Sequence, residues 1–465
     1  MMRAALLWAS ENRTLRETFP KYAFAKAAVK KFMPGEKIDD AIREAKRLND
    51  LGAVLTHQGE LDAALDTFLK ARRIFEQLRT LDPSNGIWEH GLARSFSRAG
   101  GRAWEHPMTG TSYFTPEALT DYARAMFLSV GMTGADAGLI AGDLVKANLR
   151  GVDSHGVSRI PMYLDRLRRG LVNPRPDVKV ARVAGAVAQV DGDDGMGFVA
   201  SDIAMSAACD IAGEMGIGLA GVHRSTHFGM GACYALRAIE RGYISLIFTN
   251  SSPAIPMWGG RTTFLGASPI AAGIPGGKHP PYVMDMAMTV IARGKIRLAA
   301  MQGDPIPPGL ALDRDGNPTT DAAKAFAGVC LPFGGLKGSV LGTLMDLMSG
   351  VLTGANYGGD VRSLYFDHAE PQNVGHLFFA LKPDLFLSLT DFAARMDTFY
   401  ERIKELPRAA GVEEILLPGE PEERCEAQRR RDGIPVTANI VRDLTAEGVG
   451  AGVVFPQGRP EPGVA

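Results

Sequence analysis

One stretch limits the possible folds more than any other. From Ile217 to Val222 the chain is apolar, and a polar loop, His223-Arg224-Ser225-Thr226-His227-Phe228, follows. An amphipathic segment then runs from Gly229 to Arg241, and a second apolar run, Tyr243 to Thr249, ends in Asn250-Ser251-Ser252-Pro253. Strand, helix and strand in that order predict a βαβ unit with parallel strands. The right-handed crossover brings the loops after both strands to one sheet edge, the edge where α/β ligand sites lie. His227 and Asn250-Ser251 are therefore expected as neighbours. A histidine between a strand and a helix is either structural or an acid/base beside helix amides that favour anions.

The pattern extends in both directions. Further strands are expected at 186–190 and 282–286, and further helices at 198–215 and 339–352. Thr115-Pro116-Glu117 and Thr133 are helix starts. Residues 1–110 differ, being helical in pattern with almost no strand signal; Gly59 to Asn85 has the spacing of a tetratricopeptide-like motif, too little for a solenoid. Phe32-Met33-Pro34-Gly35-Glu36 and the helix after it resemble the opening segment of proline dehydrogenases, without that family's barrel. Gly and Pro without periodicity predict a disordered tail over 448–465. The expected layout is a helical extension at 1–110, a mixed α/β catalytic region at 111–447, and that tail.

Composition removes several function classes. Fifty-one Lys and Arg against 52 Asp and Glu leave a net charge of −1, too little for a global field that would hold nucleic acid or an anionic membrane. No apolar run reaches the roughly 18 residues of a membrane helix, and no secretory signal is evident, which predicts a cytoplasmic protein. The four cysteines are dispersed without zinc spacing, so no metal centre is expected.

A second constellation is Asp153-Ser154-His155-Gly156-Val157-Ser158-Arg159-Ile160-Pro161-Met162-Tyr163. Ser158 is read as the N-cap with Pro161 in the first turn, which puts Arg159 and Tyr163 on one helix face. Arg159 then suits a carboxylate clamp, with an exposed salt bridge as the alternative. Gly334-Gly335-Leu336-Lys337-Gly338 before a helix could cradle a phosphate or form an ordinary turn, and it does not fit the P-loop pattern. Two G-x-G-x-x-G matches fail by context: Gly216 to Gly221 runs through a strand, and Gly195 to Ala200 is crowded by Asp191, Asp193 and Asp194. Asp313 to Asn317 reads as a turn rather than a calcium loop.

From Thr115 to about Leu444 the chain resembles the malate/L-lactate dehydrogenase family of non-Rossmann type, whose relatives include ureidoglycolate and sulfolactate dehydrogenases and cyclic imino-acid reductases. The matching stretches include Arg150 to Gly156, Leu171 to Pro174, Ser225 to Gly229, Thr249 to Pro253, Met284 to Ala287, Pro371 to His376 and Leu416 to Pro421. The resemblance implies hydride transfer between NAD or NADP and a small 2-hydroxy or 2-oxo acid of malate or lactate type, in a homodimer. It implies His227 as acid/base, Arg159 as carboxylate binder, and His155 and Tyr163 as pocket residues. It places the NAD(P) contacts at Ser251, Asp285, Met286, Ala287, Lys337, Pro418, Gly419 and Glu420. The alternatives are a pyrroline- or piperideine-2-carboxylate reductase and an inactive scaffold whose front helices bind a partner. Two stretches depart from the usual pattern. Gly266-Ala267-Ser268-Pro269 stands where many relatives have G-T-N-P, and Gly338-Ser339-Val340 lacks an aromatic ring usual after Lys337.

Overall fold

The computed structural model describes residues 110–460, apart from 292–294, 297–298, 301–302 and 366, together with Glu44, Leu48 and Ile74. The chain divides into two units, Met1–Gly110 and Thr111–Ala465. The proline dehydrogenase-like segment and the tetratricopeptide-like motif lie outside the described residues, those three positions aside.

The second unit opens with strand β1 (Thr111–Phe114) and helices α1 (Pro116–Ser129) and α2 (Gly134–Leu149). Both helices start where a threonine hydroxyl accepts an otherwise unpaired amide, Thr115 from Ala118 and Thr133 from Asp136. Two 3₁₀ turns, Asp153–His155 and Val157–Arg159, lead into α3 (Ile160–Arg168). The cap therefore falls one residue later than the sequence suggests: Arg159 itself is the N-cap, and Ser158 instead donates to the Asp153 carbonyl. Then come β2 (Lys179–Ala184), β3 (Val187–Asp191), α4 (Gly197–Met215), β4 (Ile217–Ser225), α5 (Ala232–Glu240), β5 (Ile244–Thr249), β6 (Pro253–Ile255), β7 (Leu265–Gly266), β8 (Ile270–Ile274) and β9 (Tyr282–Met286). After these follow β10 (Ala311–Leu312), α6 (Ala322–Ala327), β11 (Val329–Cys330), α7 (Leu336–Asp346) with a π-helical continuation Leu347–Val351, β12 (Val374–Leu381), α8 (Leu389–Lys404), α9 (Glu420–Asp432), β13 (Ile434–Thr437) and α10 (Ala438–Ala451).

Seven strands form one mixed sheet in the order β2-β3-β4-β12-β5-β8-β9. β4 and β5 are each antiparallel to β12, so they run parallel to one another as expected, but β12 lies between them. Its sequence, Val-Gly-His-Leu-Phe-Phe-Ala-Leu, is buried along almost its whole length, as a central strand covered on both faces must be. The outer strand β2 is exposed throughout, and its Lys179 and Arg182 help to protect an open edge. Helices α4 and α5 pack against one face of the sheet in a core that includes Ala204, Ala208, Val222, Ile247 and Phe378. A separate core joins α1, α2 and α3 to β13.

Both dinucleotide-like glycine runs are structural. Gly216 to Gly221 enters and forms β4. At Gly197 a Cβ would lie 2.1 Å from the Thr226 carbonyl oxygen, so the glycine is required by close packing. Arg224 binds Asp191, Asp193 and Asp194 at 3.1, 3.1 and 2.7 Å, which offsets part of the charge of the acidic turn.

The expected tail disorder is corrected for residues 448–460. Helix α10 runs to Ala451, Arg459 bridges to Tyr113, and Phe455 packs edge-on against Phe114 and Tyr122. One aromatic ring seated in the helical core outweighs a composition rich in Gly and Pro. No helix among the described residues is long and apolar enough to cross a membrane.

Candidate active site

Strand β4 delivers His227. Just beyond it, buried Thr226 accepts from the Gly197 amide at 3.0 Å and donates to the Gly195 carbonyl at 3.1 Å, which fixes the path of the chain as it leaves the sheet. The Nδ1 of His227 lies 2.7 Å from the Tyr163 hydroxyl and accepts from the Gly229 amide at 3.2 Å. Gly229 has φ +78, and a Cβ there would sit 2.4 Å from the Phe198 ring, so only glycine closes this turn. With Nδ1 engaged, exchange of a proton with a ligand falls to Nε2. Because a phenol both donates and accepts, Tyr163 fits Nδ1 whether it is bare, as the Gly229 contact has it, or protonated, which is the tautomer that frees Nε2 to act as a base.

The 3₁₀ turns and the start of α3 supply the other groups. His155 stacks on His227 with ring centroids 5.6 Å apart and planes 19° apart, and Ser154 Oγ is 3.0 Å from its Nδ1. Arg159 Nε donates to the Ser154 carbonyl at 2.5 Å, which leaves the Nη end of the guanidinium for other partners. His155, Arg159, Tyr163 and His227, read from two separate stretches of sequence, therefore form one cluster.

Its electrostatics follow from burial. Desolvation holds His227 well below the usual histidine range, and the nearby Arg159, His155 and His376 lower it further. Burial, and then Arg159, lower His155 to about 4, while burial pushes the Tyr163 phenol up. At neutral pH the site thus holds one permanent cation, Arg159, beside two neutral imidazoles and a neutral phenol. Such a site attracts a small anion and presents it with an unprotonated base.

In the sequence His376 stands out only as the end of the Pro371 to His376 stretch, with no role of its own. It lies on β12, fully buried, with Nε2 2.9 Å from Ser225 Oγ and Nδ1 2.7 Å from Thr249 Oγ1. It ties the ends of β4 and β5 together across the inserted strand, so His227 and Asn250 share an edge without their strands touching. Its ring stacks on Phe228 at 4.8 Å, immediately after His227.

The expected NAD(P) residues fall into three places. Ser251 accepts from the Ser268 amide at 3.4 Å. Asp285, Met286 and Ala287 lie at the end of edge strand β9, where Asp285 accepts the Ala232 amide at the start of α5 at 2.9 Å. Pro418 accepts from the Val283 amide on the same strand at 3.2 Å, which brings the 285–287 and 418–420 stretches side by side. Gly419, at φ +98, sits where a Cβ would come within 3.0 Å of Val283, and it lines a cavity of about 230 Å³ with Arg150, Leu236, Glu423 and Glu426. Glu420 is buried and already occupied: it accepts from Leu417 N at 2.6 Å, Tyr400 at 2.5 Å and Lys404 at 2.7 Å, and so shapes this turn. Lys337 is exposed in the first turn of α7, after Gly334 and Gly335, both at positive φ. Of these groups the exposed Lys337 and the Arg150 side of the cavity are the cationic ones that could meet a phosphate; the amides of Ser268, Ala232 and Val283 are already bonded within the protein, and Glu423 and Glu426 also line the cavity.

Residues 114–445 match the malate/L-lactate dehydrogenase family. The chain belongs to that family. It is 38% identical over 317 residues to the L-sulfolactate dehydrogenase of Methanocaldococcus jannaschii, covering 68% of this chain and 90% of that protein. A solved sulfolactate dehydrogenase structure from the same organism superposes with a TM-score of 0.70 at 35% identity, over 74% of this chain and 98% of the other. The (2R)-3-sulfolactate dehydrogenase (NADP(+)) of Chromohalobacter salexigens is 34% identical over 70% of this chain and 95% of its own length. The ureidoglycolate dehydrogenase (NAD(+)) of Escherichia coli strain K12 is 29% identical over 71% and 94%. As a member of this family the chain is an NAD(P)-dependent oxidoreductase acting on the CH–OH group of hydroxy acids.

Proposed function

We propose that the chain interconverts a small 2-hydroxy acid and its 2-oxo acid, with His227 as the acid/base and Arg159 as the carboxylate clamp. The observation that carries this reading is the 2.7 Å contact between Tyr163 and His227 in a cluster that also holds Arg159. The substrate carboxylate docks on the Nη end of Arg159. In oxidation the neutral ring carries its single proton on Nδ1, donated to the Tyr163 oxygen in place of the Gly229 contact, so that Nε2 is free to accept the hydroxyl proton; in reduction the doubly protonated ring returns the Nε2 proton to the carbonyl oxygen while Tyr163 goes on accepting from Nδ1–H. His155, neutral and stacked on His227, keeps water from that ring face. When bound, the nicotinamide supplies or takes up the hydride. The residues that would hold the dinucleotide are Ser251, Asp285, Met286, Ala287, Lys337, Pro418, Gly419 and the turn shaped by Glu420.

A homodimer is part of the proposal. Leu336, Val340, Leu344, Leu347 and Val351 recur every three or four residues along α7 and its π-helical continuation and are 45–60% exposed, while the opposite side, Gly338, Gly342 and Met345, is buried. Trp258 and Tyr357, about half exposed, add to this apolar surface, and a second copy would cover it. The 1–110 extension is assigned an accessory packing role and the protein a cytoplasmic location, both resting on sequence pattern alone.

Positioned acid/base groups contribute ~10²–10⁴ in rate. His227→Ala is expected to lower kcat by about that factor while NADH binding, followed by fluorescence, is retained. Unchanged turnover would remove His227 from the chemistry. A screen at 340 nm of small 2-oxo acids and cyclic imines with NADH and NADPH separates the hydroxy-acid reading from the imino-acid one, and a chain that binds neither cofactor would be an inactive scaffold.

A further inference from the structure

One cavity borders the expected cofactor residues and has no role in the hydride-transfer chemistry. It measures about 230 Å³ and is walled by the residue that ends α2, by α5, by the start of β9 and by the first turns of α9. Leu236, Pro281 and Val283 give it an apolar side, and Gly419, Arg150, Glu423 and Glu426 complete it. Strand register fixes where it stands relative to the acid/base. Val283 pairs with Gly273 and Gly273 with Ser245, three residues short of the row Phe248-Ile270-Met286. At ~3.3 Å per residue and ~4.8 Å between strands, the apolar side is roughly 10 Å back from the edge that carries Asn250 and Ser251, and roughly 10 Å across the sheet from β5. A dinucleotide with its nicotinamide beside His227 can reach a cavity this far off only with its adenosine half.

The charges around the cavity are unequally matched. Arg150 is 5% exposed, its Nε has no hydrogen-bond partner among the described residues, and its Nη atoms reach the Gly419 carbonyl at 3.5 Å and Glu426 at 3.6 Å. Glu426 is held in addition by Lys146 at 2.9 Å and Arg430 at 2.6 Å. Glu423, exposed in the first turn of α9, has no side-chain partner among the described residues. The cavity therefore offers one buried cation that already faces Glu426, and one carboxylate whose acceptor positions are open.

We propose that Glu423 is a cofactor-specificity residue: it accepts from the ribose hydroxyls of the adenosine half and so selects NAD(H) over NADP(H). This assignment rests on the reading of Pro418, Gly419 and Glu420 as part of the cofactor site. An ionised carboxylate only accepts, and a ribose diol supplies it with two O–H donors. A 2′-phosphate takes away one of those donors and brings its negative charge against both Glu423 and Glu426. The same choice between an acid for the diol and a base for the phosphate operates in Rossmann sites, on a different fold.

The test is fluorescence titration of the full-length protein with NADH and with NADPH, for the wild type, for Glu423→Gln, and for Glu422→Gln, which removes an equal charge from the same helical turn but from a side chain that does not line the cavity. A hydrogen bond to a charged group corresponds to roughly a tenfold or larger change in affinity, so the wild type is expected to bind NADH at least about tenfold more tightly than NADPH. Glu423→Gln is expected to bring the two dissociation constants within about threefold of one another, by weakening NADH and strengthening NADPH, while Glu422→Gln retains the wild-type ratio. Thermal melting verifies that both variants fold, as exposed positions should allow. A wild type that binds the two nucleotides equally or prefers NADPH overturns the proposal, as does a ratio that Glu423→Gln leaves intact or that Glu422→Gln narrows as much. If the wild type binds neither nucleotide, the cofactor reading itself is wrong and Glu423 falls with it.

Discussion

At the scale of single residues, the proposed acid/base is an imidazole that is neutral at pH 7. Burial first, then Arg159, His155 and His376, lower the pKa of His227 well below 6.5. Oxidation needs the neutral ring, so kcat/KM for the hydroxy acid should stay level from pH 8 down to 6.5 and decline only below that. Reduction needs the protonated ring, so kcat/KM for the 2-oxo acid should already fall with rising pH between 6.5 and 8, by about tenfold per unit. Parallel pH profiles for initial rates in the two directions test this, and an oxidation profile with its acid limb at or above pH 6.5 would assign the proton transfer to another group. Arg159, Tyr163 and His227 were legible in the sequence because two share a helix face and the third follows a strand. His376 was not, since it meets Ser225 from 151 positions away, and no local periodicity encodes such a pairing.

At the scale of elements, most of the predicted strands and helices are present because their physics is local. Thr115 and Thr133 cap the helices they precede, the apolar run 217–222 lies in β4, and all of the run 243–249 but Tyr243 lies in β5. Elements that depend on distant partners escaped, β12 most of all, as did the segment 448–460, whose Phe455 packs on Phe114 and Tyr122. The Gly266-Ala267-Ser268-Pro269 stretch now has a structural reading. Ser268 is fully buried at φ +32, with its hydroxyl lacking a hydrogen-bond partner among the described residues. Positive φ is uncommon outside Gly and Asn, and strain of this kind amounts to about 1 kcal/mol or more. Ser268→Gly removes both the strain and the orphaned hydroxyl, so it should stabilise the protein by about 1 kcal/mol even after the added freedom of the unfolded chain. An unchanged or lower urea midpoint would show that Ser268 is not strained.

At the scale of the molecule, the proposed dimer rests on the apolar side of α7. Leu344, 45% exposed, lies in the middle of that stripe. A surface leucine facing only water tolerates a charge within about 0.5 kcal/mol, whereas a buried interface does not. Leu344→Glu is therefore expected to convert a dimer into monomers in sedimentation velocity without lowering the monomer's melting temperature greatly; a wild type that sediments as a monomer would contradict the dimer. The seven-stranded sheet also carries a constraint on biosynthesis. Its centre is filled by residues 374–381, which pair on one side with β4 and on the other with β5. On a translating ribosome the two flanking groups of strands emerge first and wait, their inner edges unpaired, until the last fifth of the chain is made. That interval is when nascent chains are most prone to join one another edge to edge, and when a chaperone would have the most to cover.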